Sequence, residues 1–338
     1  MMSAYKKLRR RCGLLALILL ALTACEAPLD LSGVEAEAAK TVVRYDMFQA
    51  AAHHEQRVVV VASNGVALVS SDNGESWRRD NIETSPSLID VAACENGDFF
   101  ALDSTRVVWR MAAGEDQWTS STVDTGESTL SVHCAPGNRL WVSAGFASLF
   151  SSDDQGQSWT EFSLYDDLQI TEVQFVDEKN GFALGEFGTV LFSSDGGEQW
   201  DRRTDIPNEF YPMAAAFRDL QHGWVGGLDG VIWHTADGGQ SWIRELSISK
   251  SPIYSITATK NGQTFAVGGA ATLIEYGDEG WRAYEGAPPV LAYLRALDVL
   301  HNGDLLVAGG AGTLAKVSRS EQGIAMSMAP SMTIGNLQ

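Results

Sequence analysis

Four short acids, Asp72, Asp154, Asp195 and Asp237, share one pattern, Ser/Thr-x-Asp-x-Gly-x-x-Trp. It is completed by Ser70, Gly74 and Trp77; by Ser152, Gly156 and Trp159; by Ser193, Gly197 and Trp200; and by Thr235, Gly239 and Trp242. Two chemistries compete for such acids. Asp72-Asn73-Gly74 resembles a fragment of a calcium loop, but a full loop needs several more oxygen ligands at fixed offsets, and these are absent. A short carboxylate also accepts backbone N–H groups across a tight turn. There glycine supplies a positive φ and tryptophan a large packing face. The second reading, a structural brace without metal, fits all four copies. Degraded versions end in Trp118 and Trp281, a loss that a brace tolerates and a catalytic motif would not.

Other chemistries find less support. A glycoside hydrolase needs two facing carboxylates at a set separation, and among 43 Asp and Glu no particular pair stands out. A sialidase needs three converging arginines and a tyrosine paired with glutamate; neither that trio nor an Arg-Ile-Pro-like start is found. Cys and His show no metal-ligand spacing, and His53-His54 is read as a pair in a turn. The expectation is a protein without catalytic residues, metal or cofactor.

What positions these residues is a repeat. Trp77, Trp118, Trp159, Trp200, Trp242 and Trp281 are separated by 41, 41, 41, 42 and 39 residues, a period that marks a repeat architecture. Upstream of Trp200 come an alternating run from Ile170 to Val176, Gly181-Phe182-Ala183-Leu184-Gly185, and Thr189-Val190-Leu191-Phe192, with turn residues between. That is the density of a four-stranded propeller blade. The fold class is all-β, a seven-bladed β-propeller over residues 39–321. The seventh blade runs from about Tyr293 past Leu314 without a closing tryptophan. The spacing predicts that Thr41-Val42-Val43-Arg44-Tyr45 supplies its outer strand and closes the ring. Residues 322–338, with Met326, Met328 and Met332, read as a loose tail.

The N-terminus carries Lys6, Lys7, Arg9, Arg10 and Arg11, then an apolar run from Gly13 to Leu22. The run is too short for the about 20 residues of a membrane-crossing helix, so it reads as a signal peptide. It ends in Leu22-Thr23-Ala24-Cys25, which resembles a lipobox. Residues 1–24 are then the signal, Cys25 the lipidation site and 25–38 a tether. Glu26, rather than aspartate, points to the periplasm-facing outer membrane. Loss of those five basic residues takes the formal charge from −19 to −24. Such a surface repels phosphate backbones, which excludes nucleic acid as a partner. Cys94 and Cys134 remain, one repeat apart. Export permits a disulfide, a bridge needs Cα atoms within about 7 Å, and the sequence leaves a bridge and two buried free thiols both open.

The blade pattern sorts loops onto two faces. The Asp-bearing turns share one with short polar turns such as Asn96-Gly97, Asn261-Gly262 and Asn302-Gly303. The other takes the turns between second and third strands and the blade-to-blade linkers, with Tyr165, Phe187, Phe210, Tyr211, Tyr254, Tyr284 and Tyr293 beside Glu186, Asp229 and Arg295. Exposed aromatics near charges are what interfaces concentrate. This is the expected partner face, with several of the rings tucked under neighbouring linkers.

Phe175-Val176-Asp177, Gly181 to Gly185 and Gly188-Thr189-Val190 leading into Ser-Asp-Gly-Gly resemble the photosystem II stability/assembly factor family. Phe217-Arg218-Asp219, Gly223-Trp224-Val225-Gly226-Gly227 and Asp229-Gly230-Val231-Ile232 repeat the resemblance. It implies an Asp-box, or bacterial neuraminidase repeat, propeller acting as a non-enzymatic assembly factor. It further implies a monomer with an envelope membrane protein or complex as partner, held at the membrane by its lipid. The alternative is a glycan-binding propeller or Asp-box hydrolase. Photosynthetic members carry an arginine-rich client patch. Here Arg78, Arg79, Arg202, Arg203, Arg244 and Arg282 follow the tryptophans and read instead as charged protection of exposed outer strands.

Overall fold

The computed structural model describes residues 31–320 and 323–329. The signal segment, Cys25 and Met332 lie outside the described residues. Part of the expected tether is helical: α1 spans Ser32–Ala38, in a unit that ends at Lys40.

The second unit begins at Thr41 and holds seven four-stranded antiparallel sheets. In blade one, β1 (Phe48–His54), β2 (Arg57–Ala62), β3 (Val66–Ser70) and β4 (Arg78–Asn81) pair in chain order. His53 and His54 thus close β1 rather than lie in a turn. The run Val58 to Ala62 is wholly buried, because each blade packs both faces against neighbours and its middle strands have no solvent side to alternate toward. The hydrophobic clusters accordingly span blade pairs; one joins Phe48, Val60 and Leu68 to Ala296, Leu306 and Leu314 across the seam of the ring. The outermost β4, Arg78-Arg79-Asp80-Asn81, is polar, exposed at Arg78 and Asn81 and half-buried between them, and its charges discourage edge-to-edge pairing.

The seam corrects the expected closure. The outer strand of blade seven is Gly323–Met328, paired from Ala315 with Met328 to Ser320 with Gly323. Met326 and Met328 therefore belong to a strand and not to a loose tail. With that edge filled from its own blade, Thr41 to Met47 takes the place of a linker. Gly312 N–H donates to the Asp46 carbonyl at 2.9 Å, as Gly188 N–H donates to the Phe210 carbonyl at 2.7 Å in blade four. Val42 is buried in the seam cluster.

Innermost strands of adjacent blades share no backbone ladder, so side chains bridge them. The Asp90 carboxylate accepts Val132 N–H at 2.8 Å, and His133 Nε2 accepts Phe175 N–H at 3.0 Å. Gln174 exchanges two hydrogen bonds with the Phe217 backbone. The Cys94–Cys134 disulfide, with Cα atoms 5.2 Å apart, decides between a bridge and two free thiols. Innermost strands converge on the axis, which brings these two cysteines within bridging distance.

Candidate functional site

The Asp-bearing turns are closed hydrogen-bond circuits. Ser70 Oγ donates to Asp72 Oδ1 at 2.7 Å and accepts Gly74 N–H at 2.8 Å, while Asp72 Oδ1 also accepts Ser76 N–H at 2.9 Å. The circuit recurs at Ser152/Asp154/Gly156, Ser193/Asp195/Gly197 and Thr235/Asp237/Gly239. Donation from the Ser158 hydroxyl and amide pushes Asp154 down to about 2. The carboxylate oxygens are thus engaged by their own turn. Gly197 shows what the glycine is for: its φ is +86° and a Cβ there would meet the Trp141 ring at 2.2 Å. Among the described residues no cluster of three or more His, Cys, Asp or Glu could hold a metal ion.

The opposite face holds the candidate site. Six of the seven innermost strands carry a bulge near their start, at Gln49, Ile89, Leu130, Thr171, Tyr254 and Arg295. Bulges re-aim side chains and sit often at barrel rims and active sites. Here they ring the mouth of the central channel, a cavity of about 270 Å³ lined also by Asp90, Ser131, Glu172, Tyr211, Ala214 and Ser255. Tyr254 and Arg295 therefore belong to the channel mouth and not to linkers. Arg295 lies over the Tyr254 ring at 5.8 Å, and Tyr293 meets that ring edge-on at 6.2 Å.

Asp90 and Glu172 are the residues that sequence reasoning missed. They follow the bulge, where the other blades place Ala50, Ser131, Ala214, Ser255 and Ala296. Aligning the repeats column by column would have shown two acids among small residues. Burial pushes Asp90 up to about 6, against the lowering effect of hydrogen bonds from Val132 and Val91 N–H and of the Arg295 charge. Glu172 is held well above the usual carboxylate range by burial and by the charge of Asp90.

Outward from the mouth, Tyr211 also lines a second cavity of about 280 Å³ with Phe210, Leu228, Asp229, Trp233 and Arg244, so one surface runs from the channel to the groove between blades four and five. Phe187 is 54% exposed, Tyr211 39% and Tyr165 74%. Phe210 is half-buried, edge-on to Trp233 at 6.5 Å. Tyr284 does not share this exposure: only 4% exposed, it packs edge-on to Phe265 at 5.5 Å beneath Arg319. The expectation that places it among surface aromatics is corrected: Tyr284 directly follows the outer strand Gly280–Ala283, its N–H still bonded to the Leu273 carbonyl, and its ring packs into the cluster of Phe265 and Leu273. Sequence reasoning also passed over Leu228 and Leu246, exposed by 54% and 90%, because it looked for aromatics. Arg78, Arg202 and Arg282 pair with acids of their own blade edges, whereas Arg244 has no ion-pair partner among the described residues.

These features define a class: a seven-bladed β-propeller braced by Asp-box turns. Its repeats are similar to those of the photosystem II assembly-factor family: the family model described as Photosynthesis system II assembly factor YCF48 matches residues 106–191 and 158–252. The chain is 32% identical over 144 residues to the photosystem II assembly lipoprotein Ycf48 of Synechococcus sp. strain CC9902, covering 40% of this chain and 43% of that protein. It is 25% identical over 172 residues to photosystem II assembly protein Ycf48 of Thermosynechococcus vestitus, covering 46% of this chain and 47% of the relative. The matched segment thus spans about half the length of these relatives or less. Among solved structures, YCF48 bound to D1 peptide superposes with a TM-score of 0.67 at 12% identity, over 81% of this chain and 92% of that one. YCF48 from Cyanidioschyzon merolae gives 0.63 at 14%, over 80% and 95%. A virginiamycin B lyase from Staphylococcus aureus gives 0.71 at 9%, over 81% and 95%. At these identities the superpositions establish the propeller fold alone.

Proposed function

We propose that this protein is a non-enzymatic, lipid-anchored scaffold that holds a segment of a membrane protein during assembly of a complex in the cell envelope. In this reading Cys25 carries the anchor and residues 25–38 the tether. The client meets the linker face at Phe187, Phe210, Tyr211 and Leu228, around the channel mouth. The observation that carries the reading is Tyr211, which lines both cavities and makes the mouth and the blade-four groove one concave surface. The assembly-lipoprotein names of the relatives, and a D1 peptide bound to one solved relative, support a protein client.

The test is site-specific photocrosslinking in native membranes. A benzophenone side chain at Phe187 or Tyr211 is expected to capture one discrete membrane protein, and the same group at Ser158, on the Asp-box face, is expected to capture none. Capture from Ser158 alone, or from no position, would overturn the proposal.

A further inference from the structure

We propose that the channel mouth is a subsite for a single cationic side chain, a lysine ammonium or arginine guanidinium, presented by the client. The proposal rests on the reading that a client docks at the linker face and names the chemistry of its deepest contact.

The argument is a count of charges and donors in one cavity. The cavity is lined by two carboxylates, Asp90 and Glu172, one guanidinium, Arg295, and two phenols, Tyr211 and Tyr254. Asp90 is held in place: Oδ1 accepts Val91 N–H at 2.9 Å and Oδ2 accepts Val132 N–H at 2.8 Å. Arg295, in blade seven, lies over the Tyr254 ring of blade six and bears electrostatically on Asp90. One acid therefore has both fixed donors and a counter-charge. Glu172 has neither. Half-buried and facing the same cavity, its carboxylate has no hydrogen-bond donor among the described residues, and the nearby charge acting on it is the negative one of Asp90. Charged groups shielded from bulk water are normally paired and hydrogen-bonded. Ionised, Glu172 leaves the mouth one positive charge and one set of donors short; a guest cation would supply that charge in place of a proton.

The space suits such a guest. A water occupies about 30 Å³ of liquid, so the cavity holds roughly nine water volumes, room for one extended basic side chain. Ser131 and Ser255 supply hydroxyls on the wall, and Tyr211, whose ring carries no guanidinium, supplies an aromatic ring of the kind that attracts cations. The surrounding small residues, Ala50 and Ala214, keep the approach open. A ligand bringing two positive charges would exceed the shortfall, since Arg295 already supplies one.

The experiment uses n-butylammonium, which reproduces the end of a lysine side chain. Protein labelled with ¹³C at the Asp and Glu carboxyl carbons is titrated by NMR from pH 4 to 9 in n-butylammonium, in n-butanol, and in tetramethylammonium at the same ionic strength. The expected result is a downward displacement of the Glu172 midpoint by about one pH unit or more, as an opposite charge at about 4–6 Å imposes. It should appear in n-butylammonium alone, with Glu172→Gln abolishing the accompanying movement of the Asp90 resonance. Equal midpoints in all three solutions would overturn the subsite. So would equal displacement by tetramethylammonium, which would mark general screening. Photocrosslinks from Tyr211 that persist while n-butylammonium does nothing would sink the subsite and leave the docking surface standing; loss of both would remove both.

Discussion

His53 Nδ1 lies 2.7 Å from Asp298 Oδ2, and this contact joins the first innermost strand to the last across the seam of the ring. Burial lowers the histidine's affinity for protons, but the hydrogen bond and charge of Asp298 outweigh it, leaving the pKa above 6.5. Since the folded value exceeds the unfolded one, the contribution is complete below about pH 6.5 and fades as pH rises through the folded value. Asp298→Asn should therefore destabilise by about 1 kcal/mol at pH 5.5 and by less at pH 8.5. Urea unfolding at the two pH values measures the difference, and equal losses would refute the linkage.

The linker-like segment at the N-terminus makes a second prediction. Asp46 is fully buried, and Arg79 reaches both its carboxylate oxygens at 2.7 and 2.8 Å while Val43 N–H donates to it at 2.9 Å. Removing one member of a buried ion pair strands the other, at about 3–5 kcal/mol. Asp46→Ala should fall in that range. Asp205→Ala, which removes the exposed partner of Arg202, should cost about 0–1 kcal/mol. Similar losses for the two variants in equilibrium unfolding would mean that Asp46 does not anchor this segment at the seam.

The Cys94–Cys134 disulfide spans 40 residues. Constraint of a loop of that length in the unfolded chain corresponds to about 4 kcal/mol. The double variant Cys94→Ser/Cys134→Ser should lower the urea midpoint accordingly, and the wild type in reductant should approach the same value. A midpoint unchanged by either treatment would show that the neighbouring interblade hydrogen bonds suffice without the bridge.

The fold was legible because it is periodic. Six tryptophans at near-constant spacing, with Asp72 and its counterparts four times in register, mark the blades without reference to long-range contacts. Legibility failed where the period lapsed. Gly323–Met328 lacks both the acid and the tryptophan, so its pairing with Leu314–Ser320 was invisible and the N-terminal strand was put forward in its place. The disulfide stays undecided in the sequence for a geometric reason: how close two matching strands lie depends on their radius from the axis, which the sequence does not display. For the candidate site, Tyr211, Tyr254 and Arg295 were found by residue type. Asp90 and Glu172 were not, because an acid is conspicuous only against the Ala and Ser that occupy its column in the other blades. Tyr284 failed in the opposite sense, an aromatic after an outer strand that packs inward.

Asp90 and Glu172 also bear on stability, with a sign opposite to that of the turn acids. Burial puts their folded pKa values above the unfolded ones, to about 6 for Asp90 and well above the ordinary range for Glu172. Between the unfolded and folded values the native state holds protons that the unfolded chain has released, so stability falls as pH rises through that window. Glu172→Gln removes the need to ionise without removing a hydrogen bond, and should leave stability unchanged at pH 3.5 while raising it at pH 8. Asp154 runs the other way: its pKa is lowered to about 2, so its contribution is present above the unfolded value and lost as pH falls toward 2. Asp154→Asn should therefore destabilise at pH 7 and much less at pH 2. Thermal unfolding of both variants across pH 2 to 8 should give difference curves of opposite slope. A Glu172→Gln curve parallel to the wild type would mean that the channel mouth is wet enough to ionise Glu172 freely, and would remove the unpaired charge on which the cationic subsite depends.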